Sequence, residues 1–395
     1  SRMRRAICEG VGMNKSFVLE TKDYRNLLLK ETTIIDVRAP IEFAAGAIPG
    51  AINLPLLSDI ERQQIGTHYR QGGRKAAIKL GADLVQGSLR EKRVKAWAEL
   101  LREKPRAVIC CARGGLRSQI SQQWLAEKKI SCPRVAGGNK AIRNYLLRFL
   151  MDFCAIGSFT ILSGMTGTGK TALIKQLKNA VDLEGAANHK GSSFGRPIDE
   201  QPSQIDFENR IAVDMLAISS RNKFRSIILE DESRMIGACQ IPPYLKDKMQ
   251  NNPVAVIEMP FEDRIERLWT EYIVERYRKT SELYHDECDA RFSNYLKDSL
   301  LRIKKRLGGT RAKKIFDLMQ SAILRQQHDG FASHRTWLAE LTRDYYDPMY
   351  AYQLKAKKQS VVYRGNFYEV RDWLNQNTKD CDDQRSEISQ ELMPS

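Results

Sequence analysis

Short apolar runs alternate with amphipathic stretches through residues 13–150. The run TTIIDVR (32–38) predicts a buried strand, and AVIC (107–110) predicts another. LRSQISQQWLAEKK (116–129) predicts an amphipathic helix with Ile120 and Trp124 or Leu125 on one face. CPRVAGG (132–138) reads as a strand ending in a double glycine. Strands that alternate with helices predict a parallel α/β sheet. A second α/β unit is expected over 155–375, with strands at SFTILSG (158–164), FRSIILEDESR (224–234) and PVAVIEMP (253–260). KTALIKQLKNA (170–180) predicts a helix, and 261–345 is helical and heavily charged. SVVYRGNFYEVRDWL (360–374) predicts a last strand and helix, and the polar, acidic 376–395 is expected to be a disordered tail. Residues 1–12 do not fit the pattern that follows and read as upstream residues, with Met13 the natural start.

A chain of 395 residues exceeds one ordinary core, which agrees with two domains. Lysine and arginine outnumber aspartate and glutamate by 64 to 48, a net charge of +16. That balance suits a polyanionic partner such as RNA or DNA. The eight cysteines stand at 8, 110, 111, 132, 154, 239, 288 and 381, with no CxxC pair and no zinc spacing. The most apolar stretch, 146–162, carries Arg148 and Asp152 and does not suit a bilayer span. The expectation is a reducing, cytoplasmic protein without structural disulfides and with no membrane partner.

The stretch AVICCARGGLRSQ (107–119) carries the first candidate chemistry. Ligands gather where the strands of a parallel sheet end. Cys111 lies just past the predicted strand, and Gly114 and Gly115 allow successive N–H groups to turn inward before the next helix. Such a nest, with Arg113 and Arg117 beside it and Ser118 next, favours an anion and a thiolate. The six-residue step to Arg117 would bring its guanidinium over an anion held above the sulfur. Cys110, still within the strand, is expected to pack as a small hydrophobe.

IIDVRAPIEFAAGAIPGAINLPL (34–56), the Cys111 loop and VAGGNKAIRNY (135–145) together resemble a rhodanese domain, with Ala47 where that pattern usually has histidine. The loop, written C-x5-R-S, also resembles that of rhodanese-fold phosphatases. Sulfur transfer and phosphate-ester hydrolysis therefore both stay open at this point.

GMTGTGKT (164–171) fits G-x-x-x-x-G-K-[ST] between a predicted strand and helix, a phosphate-binding P-loop. The loop N–H groups from Gly164 through Thr166, Gly167, Thr168 and Gly169 would cradle a diphosphate, and Lys170 would meet its terminal oxygens. Thr171 is a candidate magnesium ligand, and Glu230, Asp231 and Glu232 end a strand as a Walker B element would, with Asp231 the candidate second ligand. A P-loop reports a diphosphate rather than a base, so ATP is left open. VDLEGAANHKGSSFGR (181–196) offers His189, Lys190 and Arg196 to a phosphate or RNA groove, and DYYDPMYAYQ (344–353) offers tyrosines for stacking or an apolar pocket.

A rhodanese domain followed by a P-loop domain is an unusual order. IIDVRAPIEF, CCARGGLRS, GMTGTGKT, VDLEGAANHKGSSFGR, LEDESRMIG and YYDPMYAYQ resemble the tRNA 2-selenouridine synthase family along nearly the whole chain. The resemblance implies an enzyme that exchanges sulfur for selenium in wobble 2-thiouridine of the tRNAs for lysine, glutamate and glutamine. It implies S-geranylation with geranyl diphosphate at the P-loop, then selenation with selenophosphate. Cys111 would carry selenium or assist its delivery. A cysteine phosphatase using Cys111 and Arg117, and a nucleotide-regulated tRNA-binding module, are the rival readings.

Overall fold

The computed structural model describes residues 17–221, 224–356 and 360–378. Segment 1–12 lies outside these residues, as does the expected tail from 379 onward; the last helix, Phe367–Asn377, runs two residues into that expected tail. Two compact units meet in sequence between Arg148 and Phe149.

The first unit is built on a parallel sheet of β1 (Val18–Leu19), β2 (Ile34–Asp36), β3 (Ala51–Asn53), β4 (Val108–Cys110) and β5 (Arg134–Val135). Its spatial order is β1-β5-β4-β2-β3. All three residues of β2 and of β4 are buried, as expected for central strands covered on both faces. Around them pack Val37, Leu56, Val85, Trp97 and Leu125. The helix Leu116–Glu127 lies where the periodicity places it; Leu125 is fully buried, whereas Trp124 is half-buried and stacks on Trp97 at 6.3 Å. The strand expected over 132–138 is only Arg134–Val135, because Gly137 and Gly138 turn the chain into the helix Gly138–Ile156.

The second unit holds a parallel sheet of β6 (Phe159–Gly164), β7 (Ala180–Val181), β8 (Ile227–Glu230), β11 (Val254–Ile257) and β12 (Val361–Gly365), in the order β12-β11-β6-β8-β7. A small hairpin pairs β9 (Met235–Ile236) with β10 (Cys239–Gln240). The helix expected over 170–180 is shorter, Lys170–Ile174. The chain must turn early to enter β7, and the Asn179 side chain pins the turn by donating to Ser226 O at 2.8 Å and Thr378 Oγ1 at 2.9 Å. Beyond β11 the chain is helical from Phe261 to Ala356, past the expected end at 345, with π-type turns at Thr270–Val274 and Thr342–Tyr346. Phe292, Leu296, Met319, Trp337 and Leu341 form the core of this helical layer. Among the described residues, no helix is long and apolar enough to cross a membrane.

Candidate functional site

Each unit carries one candidate site at the carboxyl end of its sheet. In the first, Cys110 pairs with Asp36 across β4 and β2 and is fully buried. Burial, reinforced by the charge of Asp36, pushes its thiol well up. Cys111 is the first residue beyond β4, and its Sγ lies 3.3 Å from Ser118 Oγ, to which the thiol donates, and 3.9 Å from Gly115 O. Ser118 Oγ in turn donates to Gly115 O at 3.0 Å.

The loop is clamped from below by the double glycine. The N–H groups of Asn139 and Lys140, unpaired donors of a helix start, reach Cys111 O at 2.8 Å and Ala112 O at 3.0 Å. Gly138 sits at φ 64°, and a Cβ there would fall 2.1 Å from Cys111 O and 2.4 Å from Gly114 N. Only glycine fits this contact. Arg134 Nη1 donates to Gly114 O at 3.1 Å, while Arg113 is exposed.

Arg117, expected over the sulfur, remains within electrostatic reach of Cys111 while its side chain is engaged by a carboxylate. Its guanidinium makes a bidentate pair with Glu42, with Nη2 3.0 Å from Oε1. Burial of Glu42 works against its charge, but Arg117, the Ala39 N–H and Arg62 together hold the carboxyl below its usual range. Arg38, on a buried salt bridge to Asp36, donates to Glu42 O at 3.0 Å and Gly46 O at 2.9 Å, fixing the segment that carries Glu42. Nothing in the sequence singles out Glu42, because its spacing does not point to a partner 75 residues away.

In the second unit, Gly164, Thr166, Gly167, Gly169, Lys170 and Thr171 line one cavity of about 430 Å³ with Asp231 and Glu232. Thr168 is buried beneath the loop, and its Oγ1 donates to Met165 O at 2.8 Å. Gly169 takes φ 87°, and a Cβ there would strike the Arg267 guanidinium at 2.8 Å. Lys170 Nζ donates to Gly164 O at 2.7 Å, so the ammonium folds back over the loop it serves.

The carboxylates divide their roles differently from the sequence expectation. Thr171 Oγ1 donates to Glu184 Oε2 at 2.7 Å, whereas Asp231 accepts from Ser163 Oγ at 2.6 Å. The two expected magnesium ligands are thus committed to different partners. Among the described residues, no group of three or more His, Cys, Asp or Glu side chains is arranged to hold a metal. Glu230 is fully buried in β8 and accepts from Glu184 N at 3.2 Å. Burial, then the charge of Glu184, pushes Glu230 well up. The same two causes push Glu232 up to about 8, against the opposing charge of Lys170.

The two stretches noted for possible ligand contact converge on this cavity. His189, Lys190, Ser192 and Arg196 line one side. Burial and the charges of Arg196 and Arg302 hold His189 below its usual range. Tyr272, Tyr345, Tyr346, Met349 and Tyr350 form an aromatic wall with Leu268 and Ile303, and Arg302 and Arg306 complete the rim.

A rhodanese-like unit followed by a P-loop unit is the class that fold and sites define. The family model described as a rhodanese-like domain matches residues 20–145, and that described as the tRNA 2-selenouridine synthase AAA domain matches 157–381. A relative named tRNA 2-selenouridine synthase, from Pseudomonas fluorescens Pf-5, is 46% identical over 91% of this chain and 98% of its own. The proteins of that name from Pseudomonas syringae pv. tomato DC3000 and Salmonella enteritidis PT4 are each 45% identical over 90% of this chain and 98% of theirs. The chain belongs to the tRNA 2-selenouridine synthase family, a family of enzymes.

Proposed function

We propose that this protein converts wobble 2-thiouridine to 2-selenouridine in the tRNAs for lysine, glutamate and glutamine, in the cytoplasm. Two chemical steps divide between its two units. In the first, the sulfur of 2-thiouridine attacks the allylic carbon of geranyl diphosphate, the carbon–oxygen bond breaks, and diphosphate leaves as the ring N3 gives up its proton. The loop N–H groups and Lys170 receive the charge that grows on the leaving oxygens. The observation that carries this reading is one cavity lined both by the phosphate loop and by aromatic and aliphatic side chains. An amphiphile with a diphosphate head and an apolar tail matches that mixed lining.

In the second step, selenium from selenophosphate attacks ring C2 and geranylthiol leaves. Water takes the phosphoryl group to phosphate and supplies the protons for N3 and the thiol. The Cys111 loop, with its glycine pair Gly114–Gly115 and the exposed Arg113, suits the phosphoryl oxygens. Cys111 assists selenium delivery from the centre of that loop. The phosphatase reading needs Arg117 over the thiol, and its bond to Glu42 counts against that. The experiment is mass spectrometry of nucleosides from 2-thiouridine tRNA incubated with the protein, geranyl diphosphate and selenophosphate. Appearance of 2-selenouridine only when all are present supports the reading; its absence refutes it.

A further inference from the structure

Beside the cysteine loop, the first unit carries a groove of about 640 Å³. One wall comes from a broken helix. The helix Asp59–Leu84 is broken at Gly73, where φ is 71° and ψ is −169°. The two arms lie side by side: a Cβ on Gly81 would stand 3.4 Å from Ile65 Cδ1. Ile65 and Tyr69 from the first arm face Ala77, Ile78 and Gly81 from the second. Leu56, Leu57, Val85 and Trp124 extend the same apolar floor.

The groove ends on the cysteine loop itself. Arg113, Gly115, Leu116 and Arg117 form its other boundary, with Arg74 also on the lining. Tyr69, Ile78 and Leu116 are 58%, 41% and 37% exposed, large apolar side chains left open beside the loop that carries the buried Cys111. An apolar floor bordered by Arg74 and Arg113, with Arg117 already paired to Glu42, fits a ligand with an apolar tail and an anionic head. A nucleoside alkylated by an isoprenoid and carried on an RNA backbone has both.

We propose that this groove holds the geranyl chain of S-geranylated tRNA while the Cys111 loop acts on the attached nucleoside. The proposal rests on the two-step reading of the function. It follows from position: when selenium reaches C2 the geranyl sulfur is still bonded there, so its chain must lie beside the loop. The groove gives that chain a place out of water and orients C2 toward the loop. It also selects alkylated over unalkylated tRNA for the second step.

The test compares anticodon stem-loop RNAs carrying S-geranyl-2-thiouridine or S-methyl-2-thiouridine, by equilibrium binding to the full chain and by selenation. Burial of even two of the chain's carbons is worth about tenfold in affinity, so the native protein should prefer the geranyl RNA by about tenfold or more. Ile78→Glu and Tyr69→Asp, both at exposed positions and each checked for fold by circular dichroism, should reduce that preference to nearly none. Leu324→Glu, at an exposed leucine of the second unit, should leave it intact. Equal binding of the two RNAs by the native protein, or a preference that survives both groove variants, overturns the proposal. A groove-dependent preference without selenation of either RNA upholds the groove and refutes the two-step order. Selenation of the geranyl RNA without any preference upholds the order and refutes the groove.

Discussion

Arg117 and Glu42 lock the edge of the cysteine loop to the segment following β2, with Nη2 of the arginine 3.0 Å from Oε1 of the glutamate. The pair is partly buried, with 24% and 18% of the two side chains exposed. The lowered carboxyl value means that the pair stabilises the fold above the ordinary carboxylate range and that this contribution disappears as pH falls through the folded value. Glu42→Gln should cost about 1 kcal/mol at neutral pH, and the gap to the native protein should narrow in acid. Denaturant titration across pH checks this; a gap that widens in acid contradicts it. The freed guanidinium should also bind selenophosphate more tightly, which calorimetry can read.

Gly138 is the second half of the cysteine loop's support. Gly138→Ala sets a methyl against Cys111 O and Gly114 N at a backbone angle that side chains resist. The expected cost is about 2 kcal/mol or more in stability, with loss of selenation and preserved geranylation. A melting temperature and selenation rate equal to those of the native protein would remove the clamp from the account.

Glu232 gives the P-loop cavity a pH response. Burial and Glu184 raise it to about 8, so below that pH its carboxyl is neutral beside Lys170. Above it, the new negative charge repels a diphosphate. The KM for geranyl diphosphate should therefore rise as pH passes about 8, and Glu232→Gln should flatten the rise. The folded chain also holds a proton that the unfolded chain releases, so stability should fall as pH climbs toward 8, and less so in the variant. Identical KM profiles for the two proteins would contradict this.

The basic turn at the end of the helix Cys288–Leu307 is the place to test RNA contact. Lys304 and Lys305 are exposed, and the adjacent Arg302 and Arg306 border the P-loop cavity. Reversing Lys304, Lys305 and Arg306 should weaken tRNA binding and lower the salt slope by about one for each phosphate left without its cation. Unchanged affinity and slope would take 302–314 out of the interface.

Much of this is legible in the sequence for physical reasons. The apolar run ends the strand at Cys110 and puts Cys111 just past it, although both side chains are buried, and G-x-x-x-x-G-K-T stands between a strand and a helix as its pattern requires. Glu42 and Glu184 are not legible. Each meets its partner, Arg117 or Thr171, through tertiary folding, and an isolated glutamate carries no local signal of that. Asp231 reads as a metal ligand because it ends a strand; its bond to Ser163 depends on how β6 and β8 lie together. The broken helix Asp59–Leu84 also escapes a sequence reading, since a single glycine at Gly73 does not announce a reversal.

The division of labour between the two units is the central claim, and one crossed measurement tests it. Lys170→Ala and Cys111→Ala are each incubated with 2-thiouridine tRNA, and separately with S-geranyl tRNA, in the presence of geranyl diphosphate and selenophosphate. The three nucleosides are quantified by chromatography and mass spectrometry. Removing one group that stabilises developing charge costs about 3 kcal/mol, about a hundredfold in rate. Lys170→Ala should therefore barely geranylate 2-thiouridine tRNA yet convert S-geranyl tRNA to the selenated product. Cys111→Ala should accumulate S-geranyl tRNA and stop. If Lys170→Ala geranylates normally and fails only at selenation, the P-loop serves the selenium step and the division is wrong.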